Sequence, residues 1–356
     1  MAQLSKSHRQ WLLRPSTIVN PQWSSAIVNQ GRGNPDGRFK GRIMKKAIVV
    51  LIAFLVLAVW LVGQQPARTS QPTATASPAN DIKVRVDLVN VLMTVTNKKN
   101  RLEIGLGKED FHVFEDGKPQ TIRYFSRETD LPLRIGVLVD TSSSIHDRLR
   151  FEQEAAVDFL NTTLRPGKDL AFVVAFDVRP QVMQDYTDDL EKLSKAIRGL
   201  LAGGVTTLYD AIYFSCREKM LFFPPPEPYL RRVMIIISDG LDNQSEHTRE
   251  EALAMAQRAE VTIYAVSTSA TGSPGHGDKV LKRLAEQTGG RAFFPFQARE
   301  TAADFREIGR ELRSQYSLAY VPTNKTHDGT FRTISIQPLQ KGVQVRAKPG
   351  YFAPSE

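Results

Sequence analysis

The sequence LRIGVLVDTSSS, residues 133–144, joins a short apolar run to a cluster of oxygen-bearing side chains. The run LRIGVLV has the length and composition of a strand that is buried on both faces of a sheet. It is followed by the pattern Asp-x-Ser-x-Ser. In an extended turn, side chains two residues apart point to the same side, so Asp140, Ser142 and Ser144 can present their oxygens together. The stretch therefore predicts a buried strand with an oxygen-rich site at its carboxyl end.

Strands of the same kind alternate with helices through the middle of the chain. Apolar runs at residues 170–176, 232–238 and 261–267 are similar to the first one, and residues 292–295 predict an edge strand. Apolar residues with helical spacing occupy the other segments, at 149–164, 190–201, 208–221, 249–259, 280–288 and 302–316. Strands this apolar, separated by helices, predict an α/β fold with a doubly wound, mostly parallel sheet covered on both faces. Ligands of such sheets bind beyond the carboxyl ends of the strands.

Two more oxygen donors are expected at the same edge of the sheet. Thr206 lies in GGVTTLYDA, where two glycines would let a loop approach closely, and Asp239 directly follows the strand RVMIIIS. Together with the Asp-x-Ser-x-Ser residues they supply two carboxylates and three hydroxyls. Such a hard, all-oxygen site of low charge suits Mg²⁺ or Mn²⁺ and leaves room for water.

Taken in order, these motifs resemble the metal-ion-dependent adhesion site of the von Willebrand factor type A domain. The resemblance covers about residues 131–316 and makes this region a domain of that type, with a Rossmann-like sheet. The residues that match the family's metal site are Asp140, Ser142, Ser144, Thr206 and Asp239. Thr207 stands beside Thr206, but the spacing to the following LYD favours Thr206.

The resemblance implies binding rather than turnover. In the family, serine and threonine hydroxyls bind the cation directly, while the aspartates often act through water. Such ligands neutralise little of the cation's charge, so an open position can take an Asp or Glu carboxylate of a protein partner. We therefore expect a Mg²⁺- or Mn²⁺-dependent adhesion module and no enzyme. The alternative is a structural or assembly scaffold of the cell envelope, in which the metal only stabilises the fold.

Known catalytic motifs give no support to an enzyme. The sequence contains no G-x-S-x-G elbow, P-loop, G-x-G-x-x-G or H-E-x-x-H pattern. The three residues Asp140, Thr141 and Ser142 are faintly similar to the Asp-Thr-Gly of aspartic proteases, but no second copy exists. These observations leave the oxygen-rich site as the feature that carries function.

The N-terminal part is typical of a targeting region. Met44 and two lysines precede AIVVLIAFLVLAVWLV, so residues 44–63 predict a secretory signal peptide or an uncleaved single-pass signal anchor. Residues 1–43 are basic and lack clear periodicity; they are either a segment upstream of a true start at Met44 or an unusually long basic leader. Residues 64–80 are rich in Pro, Ser and Thr and predict an extended linker. The rest of the chain is then expected outside the cytoplasm, as a periplasmic, membrane-anchored or secreted protein.

Two β regions flank the central domain. Residues 81–130 predict a small β module with a hairpin turn at residues 115–118, and residues 317–356 predict a C-terminal β extension that packs against it. Stretches in both regions, such as EDFHVFEDGKPQ and VRAKPGYFAP, resemble exported von Willebrand A-related proteins of acidobacteria. That resemblance implies export and little about activity.

The net charge of +9 does not indicate nucleic-acid binding. Residues 1–46 hold nine basic side chains and one acidic one, whereas the other 310 residues hold 38 basic and 37 acidic side chains. The folded part is almost neutral, so its composition predicts no basic patch. The single cysteine, Cys216, excludes an intramolecular disulfide and is expected to be an inert core residue. We also expect Asp210 to pair locally, His146 to lie at the surface, and Asp242 to support the site or order its loop.

Overall fold

The structure, a computed structural model, describes residues 88–127, 130–143, 148–221, 230–269 and 275–355. The basic segment, the predicted signal and the linker lie outside the described residues, as do Ser144 of the predicted site and His146. Within the described ranges, no helix has the length and hydropathy that crossing a membrane requires.

Strands and helices alternate through the middle of the chain, and strands flank this region on both sides. The strands are β1 (Val89–Asn97), β2 (Phe111–Glu115), β3 (Lys118–Gln120), β4 (Ile122–Arg127), β5 (Leu133–Asp140), β6 (Leu170–Phe176), β7 (Pro180–Thr187), β8 (Arg231–Ser238), β9 (Val261–Ser267), β10 (Ala292–Phe293), β11 (Tyr316–Tyr320), β12 (Phe331–Pro338), β13 (Val343–Ala347) and β14 (Gly350–Phe352). The α-helices are α1 (Leu149–Thr163), α2 (Leu190–Arg198), α3 (Leu208–Phe214), α4 (Arg249–Arg258), α5 (His276–Glu286) and α6 (Ala298–Leu312).

The central sheet confirms the predicted fold class. Its strand order is β10-β9-β8-β5-β6-β7, and all neighbouring strands are parallel except β6 and β7. The chain runs from β5 through β6 to one edge and then returns to β8 on the other side of β5. Such a reversal opens a crevice at the carboxyl ends of the two middle strands, where ligands of doubly wound sheets bind.

Helices cover both faces of this sheet, which explains the continuous apolar sequence of its middle strands. Every residue of β5 is buried. Its side chains Ile135, Val137 and Val139 pack into a core with α1, α2 and α6. On the opposite face, Leu138 packs into a second core with α3, α4 and α5. The site therefore lies at the end of a strand, β5, that is held in place by packed helices on both faces of the sheet.

Three predicted helices differ from the structure in their bounds or in their helix type. Helix α5 begins at His276 rather than at 280, and α6 spans Ala298–Leu312 rather than 302–316. Both helices start with a polar turn, in which Asp278 and Glu300 accept hydrogen bonds from backbone N–H groups before the helix. Apolar spacing does not detect a turn that is held by such caps. The predicted helix 208–221 is α-helical through Phe214 and continues as a π-helix over Ser215–Leu221.

Strands from both ends of the described chain share two antiparallel sheets. The orders are β13-β1-β11-β4 and β14-β12-β2-β3, so each sheet joins strands from before and after the central domain. Their common core contains Val91, Met93, Phe111, Val113, Tyr316, Leu318, Tyr320 and Ile334. The turn between β2 and β3 uses Asp116 and Gly117 at positive φ (48° and 75°), as a tight hairpin requires. Residues before and after the central domain thus form one β unit.

Candidate metal centre

Three loops meet at the carboxyl edge of the central sheet, and each carries part of the predicted site. The loop before α3 is tied to the loop after β5 by two backbone hydrogen bonds, from Gly203 N to Thr141 O (2.7 Å) and from Ser143 N to Gly204 O (3.3 Å). The loop after β8 is tied to the loop before α3, because Asn243 N donates to Thr206 O (3.0 Å). These bonds bring together three sequence segments that are far apart along the chain.

Asp140 is fully buried at the end of β5, and both of its oxygens accept hydrogen bonds. Oδ1 accepts from Ser142 N (2.9 Å), and Oδ2 accepts from the Ser238 hydroxyl (2.7 Å). Burial raises the pKa of Asp140 to about 6, although the bonds from Ser238 and Ser142 lower it; the negative charge of Asp239 raises it further. Because both oxygens already have donors, Asp140 is suited to reach a cation through water.

The hydroxyl groups of the site differ in what they contact. Ser142 is buried two residues after Asp140, and Thr206 is buried in the loop before α3. Each of the two residues is only 2% exposed. The hydroxyl of Thr207 donates to the backbone carbonyl of Asp177 (2.9 Å), and that of Thr141 donates to the carbonyl of Phe176 (3.2 Å). Thr207 is thus used to hold its own loop, which leaves Thr206 as the candidate donor to a cation.

Asp239 follows β8, the parallel neighbour of β5, and is half-buried. Its Oδ1 accepts from Leu241 N (3.0 Å), which shapes the loop after the strand. Gly240, at φ 76°, packs directly on Gly277 of α5; a Cβ on Gly277 would lie 2.1 Å from the Asp239 carbonyl oxygen. The position of Asp239 therefore depends on the absence of a side chain at residue 277.

The Gly277→Ala variant is expected to push the Asp239 loop away from α5. The overpacking should lower the free energy of unfolding by about 1–3 kcal/mol, which thermal and urea unfolding would measure. Gly105→Ala is the matched control, because no atom lies within 4 Å of a Cβ built there. Equal stabilities of the two variants would show that the close approach at Gly277 does not constrain the loop.

Two further carboxylates near the site order its loops. Asp242 Oδ1 accepts from Tyr209 N (3.2 Å) and from the Ser245 hydroxyl (2.6 Å). Asp210 accepts from the backbone N–H groups of Glu246 (3.0 Å) and His247 (2.9 Å), and the His247 ring Nδ1 lies 2.7 Å from its Oδ1. The local pairing predicted for Asp210 is confirmed, and Asp242 joins the loop after β8 to the start of α3.

Cys216 is fully buried in the core under α3, and burial raises the pKa of its thiol. A thiol that is buried among apolar side chains and stays protonated is unreactive. The predicted inert role of this cysteine is therefore confirmed.

The donor set fits a divalent cation of the Mg²⁺ or Mn²⁺ type by its chemistry. Carboxylate and hydroxyl oxygens are the ligands that such hard cations prefer. Among the described residues, no three His, Cys, Asp or Glu side chains are grouped so that they could hold a metal ion. A cation at this edge would therefore depend on hydroxyl and water oxygens in addition to Asp140 and Asp239.

Sequence patterns did not reveal two buried residues of this region. Ser238 donates to Asp140 but belongs to the apolar strand β8, and its place beside β5 follows from strand order. Glu152 lies on α1 and is 3% exposed. The negative charges of Asp140 and Asp239 raise the pKa of its carboxyl group. A Glu in the first turn of a helix is ordinary, so only its burial could have drawn attention to it.

One family model matches the chain, that of the von Willebrand factor type A domain. It matches residues 135–241, a stretch that includes all five predicted site residues. No curated protein sequence matches the chain.

Solved structures with a similar fold come from diverse proteins. The PilB minor pilin from Streptococcus sanguinis is 12% identical, with 52% of this chain and 62% of the pilin covered and a TM-score of 0.42. Proximal thread matrix protein 1 from the mussel byssus, with a zinc-occupied MIDAS motif, is 18% identical over 55% of this chain and 50% of that protein, with a TM-score of 0.44. A von Willebrand factor type A protein from Catenulispora acidiphila is 12% identical over 76% and 74%, with a TM-score of 0.43. The chain spans less than two thirds of the pilin and about half of the byssus protein.

Proposed function

We propose that this chain is an exported, metal-dependent protein-binding module. It would hold Mg²⁺ or Mn²⁺ at Asp140, Ser142, Ser144, Thr206 and Asp239, and use the cation to capture an acidic group of a partner. The observation that carries the proposal is the set of backbone hydrogen bonds between the loops of Thr141, Gly203 and Asn243. Those bonds tie the three segments together at one edge of the sheet, which supports a shared cation site there.

The charge of the site supports the proposal of binding rather than turnover. Two aspartates carry a formal charge of −2, and both oxygens of Asp140 already accept hydrogen bonds. Hydroxyls and water would therefore complete the coordination, and one water can be exchanged for a carboxylate from outside.

Export is supported by the predicted signal at residues 44–63 and by the resemblance of the flanking regions to exported relatives of this domain. The competing proposal is an envelope scaffold in which the cation only stabilises the fold. The two differ in the open coordination position: a binding module offers it to a partner, and a scaffold does not.

Exchange of metal-bound water tests the open position. Mn²⁺ bound to the full chain should enhance the relaxation of water protons. Glutarate, used as a small carboxylate probe, is expected to displace a water ligand and reduce that enhancement, whereas the neutral glutaramide should leave it unchanged. An enhancement that glutarate does not alter would contradict capture of an acidic group, and no Mn²⁺ uptake at all would contradict the metal site.

A further inference from the structure

Glu152 is a buried carboxylate beside the candidate metal centre. It lies in the first turn of α1 and is 3% exposed. Leu149, Ala155 and Ala156 of the same helix belong to the core between α1 and the central sheet. Because α1 begins shortly after the loop of Asp140, its first turn lies at the carboxyl edge of the sheet. Glu152 therefore faces inward, at the end of the helix that is closest to the site.

One oxygen of Glu152 lacks a partner. Oε2 is buried and has no hydrogen bond to any described residue. Leaving such an oxygen unsatisfied costs about 1–3 kcal/mol. Arg148, one turn earlier, is directed elsewhere: its guanidinium donates to the carbonyl oxygens of Thr268 (2.8 Å), Pro295 (3.5 Å) and Phe296 (3.5 Å).

The charges of the candidate centre act on Glu152. Burial raises the pKa of Glu152 to about 8, Arg148 lowers it, and the negative charges of Asp140 and Asp239 raise it further. Three carboxyl groups thus lie within electrostatic range of one another. They are not grouped as direct ligands of one ion, so Glu152 would act on a cation through water and through its charge.

A purely structural role of Glu152 in α1 does not explain its burial or its unsatisfied oxygen. A carboxylate in the first turn of a helix is favoured by the helix dipole, but an exposed side chain gains the same benefit. Two residues further along α1, Glu154 is exposed and pairs with Arg198 (2.7 Å). The burial of Glu152 and its unsatisfied oxygen have no counterpart there, and they indicate a ligand at the sheet edge.

We propose that Glu152 is a third carboxylate of the cation site, together with Asp140 and Asp239, and that it strengthens cation binding through a bridging water. This inference rests on the proposed function, because it requires a cation at the centre. The hydrated cation supplies both the hydrogen-bond donor that Oε2 lacks and the positive charge that the three carboxyl groups need.

Calorimetric titration of the full chain with Mg²⁺ and with Mn²⁺ tests the proposal. Above the raised pKa of Glu152, at about pH 9, the Glu152→Gln variant, which keeps the size of the side chain and cannot carry its charge, should bind both cations about 10–100-fold more weakly than the wild type. Glu152→Asp, which keeps the charge, should lie closer to the wild type. Glu154→Gln is the matched control on the same helix and should bind as the wild type does.

Thermal unfolding without metal separates this role from a purely structural one. The melting temperature of metal-free Glu152→Gln is expected to equal or exceed that of the wild type. A loss of affinity that accompanies a large fall in melting temperature would overturn the proposal, as would wild-type affinity in Glu152→Gln. If the wild type and Glu152→Gln bind Mg²⁺ and Mn²⁺ equally well, only the proposed role of Glu152 is wrong. If the wild type binds neither cation, the proposed function is wrong as well.

Discussion

The Asp169→Asn variant is expected to lose about 3–5 kcal/mol of the free energy of unfolding, because it removes one partner from a buried ion network. The side chain of Asp169 is fully buried and accepts from Leu133 N (2.8 Å), from Arg165 Nε (2.9 Å) and from Arg313 Nη2 (2.8 Å). An amide cannot accept from all of these donors, and the carboxylate charge is removed from beside both arginines, although Arg165 keeps its pair with the exposed Asp130 (3.0 Å). Urea unfolding measures the loss, and the melting temperature should fall by about 2–4 °C for each kcal/mol.

This contribution should disappear in acid. Burial alone would raise the pKa of Asp169, but the hydrogen bonds from Arg165, Leu133 and Arg313 outweigh burial and hold the pKa at about 2, below its ordinary value of 3.8. A carboxyl group with a lowered pKa stabilises the fold above its ordinary pKa, and the stabilisation is lost as the pH falls through the lowered value. The difference between wild type and Asp169→Asn should therefore be constant above about pH 5 and shrink as the pH falls from about 5 towards 2.

The control for this prediction is a surface ion pair. Glu154 pairs with Arg198, and both side chains are about half exposed. Such pairs contribute about 0–1 kcal/mol, so Glu154→Gln should unfold almost as the wild type does. An Asp169→Asn variant that is no less stable than Glu154→Gln would contradict the importance of the buried network.

The Asp140→Asn variant is expected to bind cations about 100-fold more weakly, the upper end of the effect of removing a group that supports a metal ion through water. The substitution keeps the volume of the side chain and an oxygen that can accept from Ser142 N, but it removes one of the two carboxylates of the centre. Calorimetry with Mg²⁺ measures the loss. Asp158→Asn, on the exposed face of α1, is the control that removes a carboxylate elsewhere.

The same variant separates the binding module from the scaffold. If the cation serves capture, Asp140→Asn should lose the glutarate response of bound Mn²⁺ while its melting temperature stays close to that of the metal-free wild type. If the cation serves only stability, Mn²⁺ bound to the wild type should show no glutarate response. A rise in melting temperature with Mg²⁺ is expected in either case, because any ligand of the folded state stabilises it. A wild-type affinity for Mg²⁺ in Asp140→Asn would contradict the assignment of this residue to the centre.

The fold could be predicted where burial dominates the sequence. The middle strands of the central sheet are buried on both faces, so their composition is apolar throughout and identifies them directly. The edge strand β7, PQVMQDYT, is mostly exposed and pairs antiparallel with β6. Because solvent covers much of it, neither an apolar run nor a clean alternation marks it, and sequence analysis did not find it.

The pairing of the flanking strands could not be read from local sequence. Strand β1 lies between β11 and β13, and Val91 is opposite Leu318 in the register. Val91 and Met93 alternate along β1 and are both buried, but alternation does not identify a partner more than two hundred residues away. Turn chemistry, by contrast, is local, and the Asp116-Gly117 turn was predicted correctly.

In the candidate site, too, local sequence signals could be recognised and contacts between distant elements could not. The motif residues carry a recognisable spacing, so Asp140, Thr206 and Asp239 could be named from sequence, and strand order explains why their loops meet. The contact from Ser238 to Asp140 and the inward position of Glu152 depend on packing between elements. No spacing rule connects those residues, and only the three-dimensional arrangement shows that they belong together.

The anomalous scattering of Mn²⁺ tests the central claim most directly. In crystals of this protein grown with Mn²⁺, we expect one anomalous peak at the carboxyl edge of the central sheet, among Asp140, Ser142, Ser144, Thr206 and Asp239. A water molecule should bridge the ion to Glu152. A well-ordered sheet edge without a peak, or a peak held by other residues, would contradict the assignment of this edge as a metal-dependent binding site.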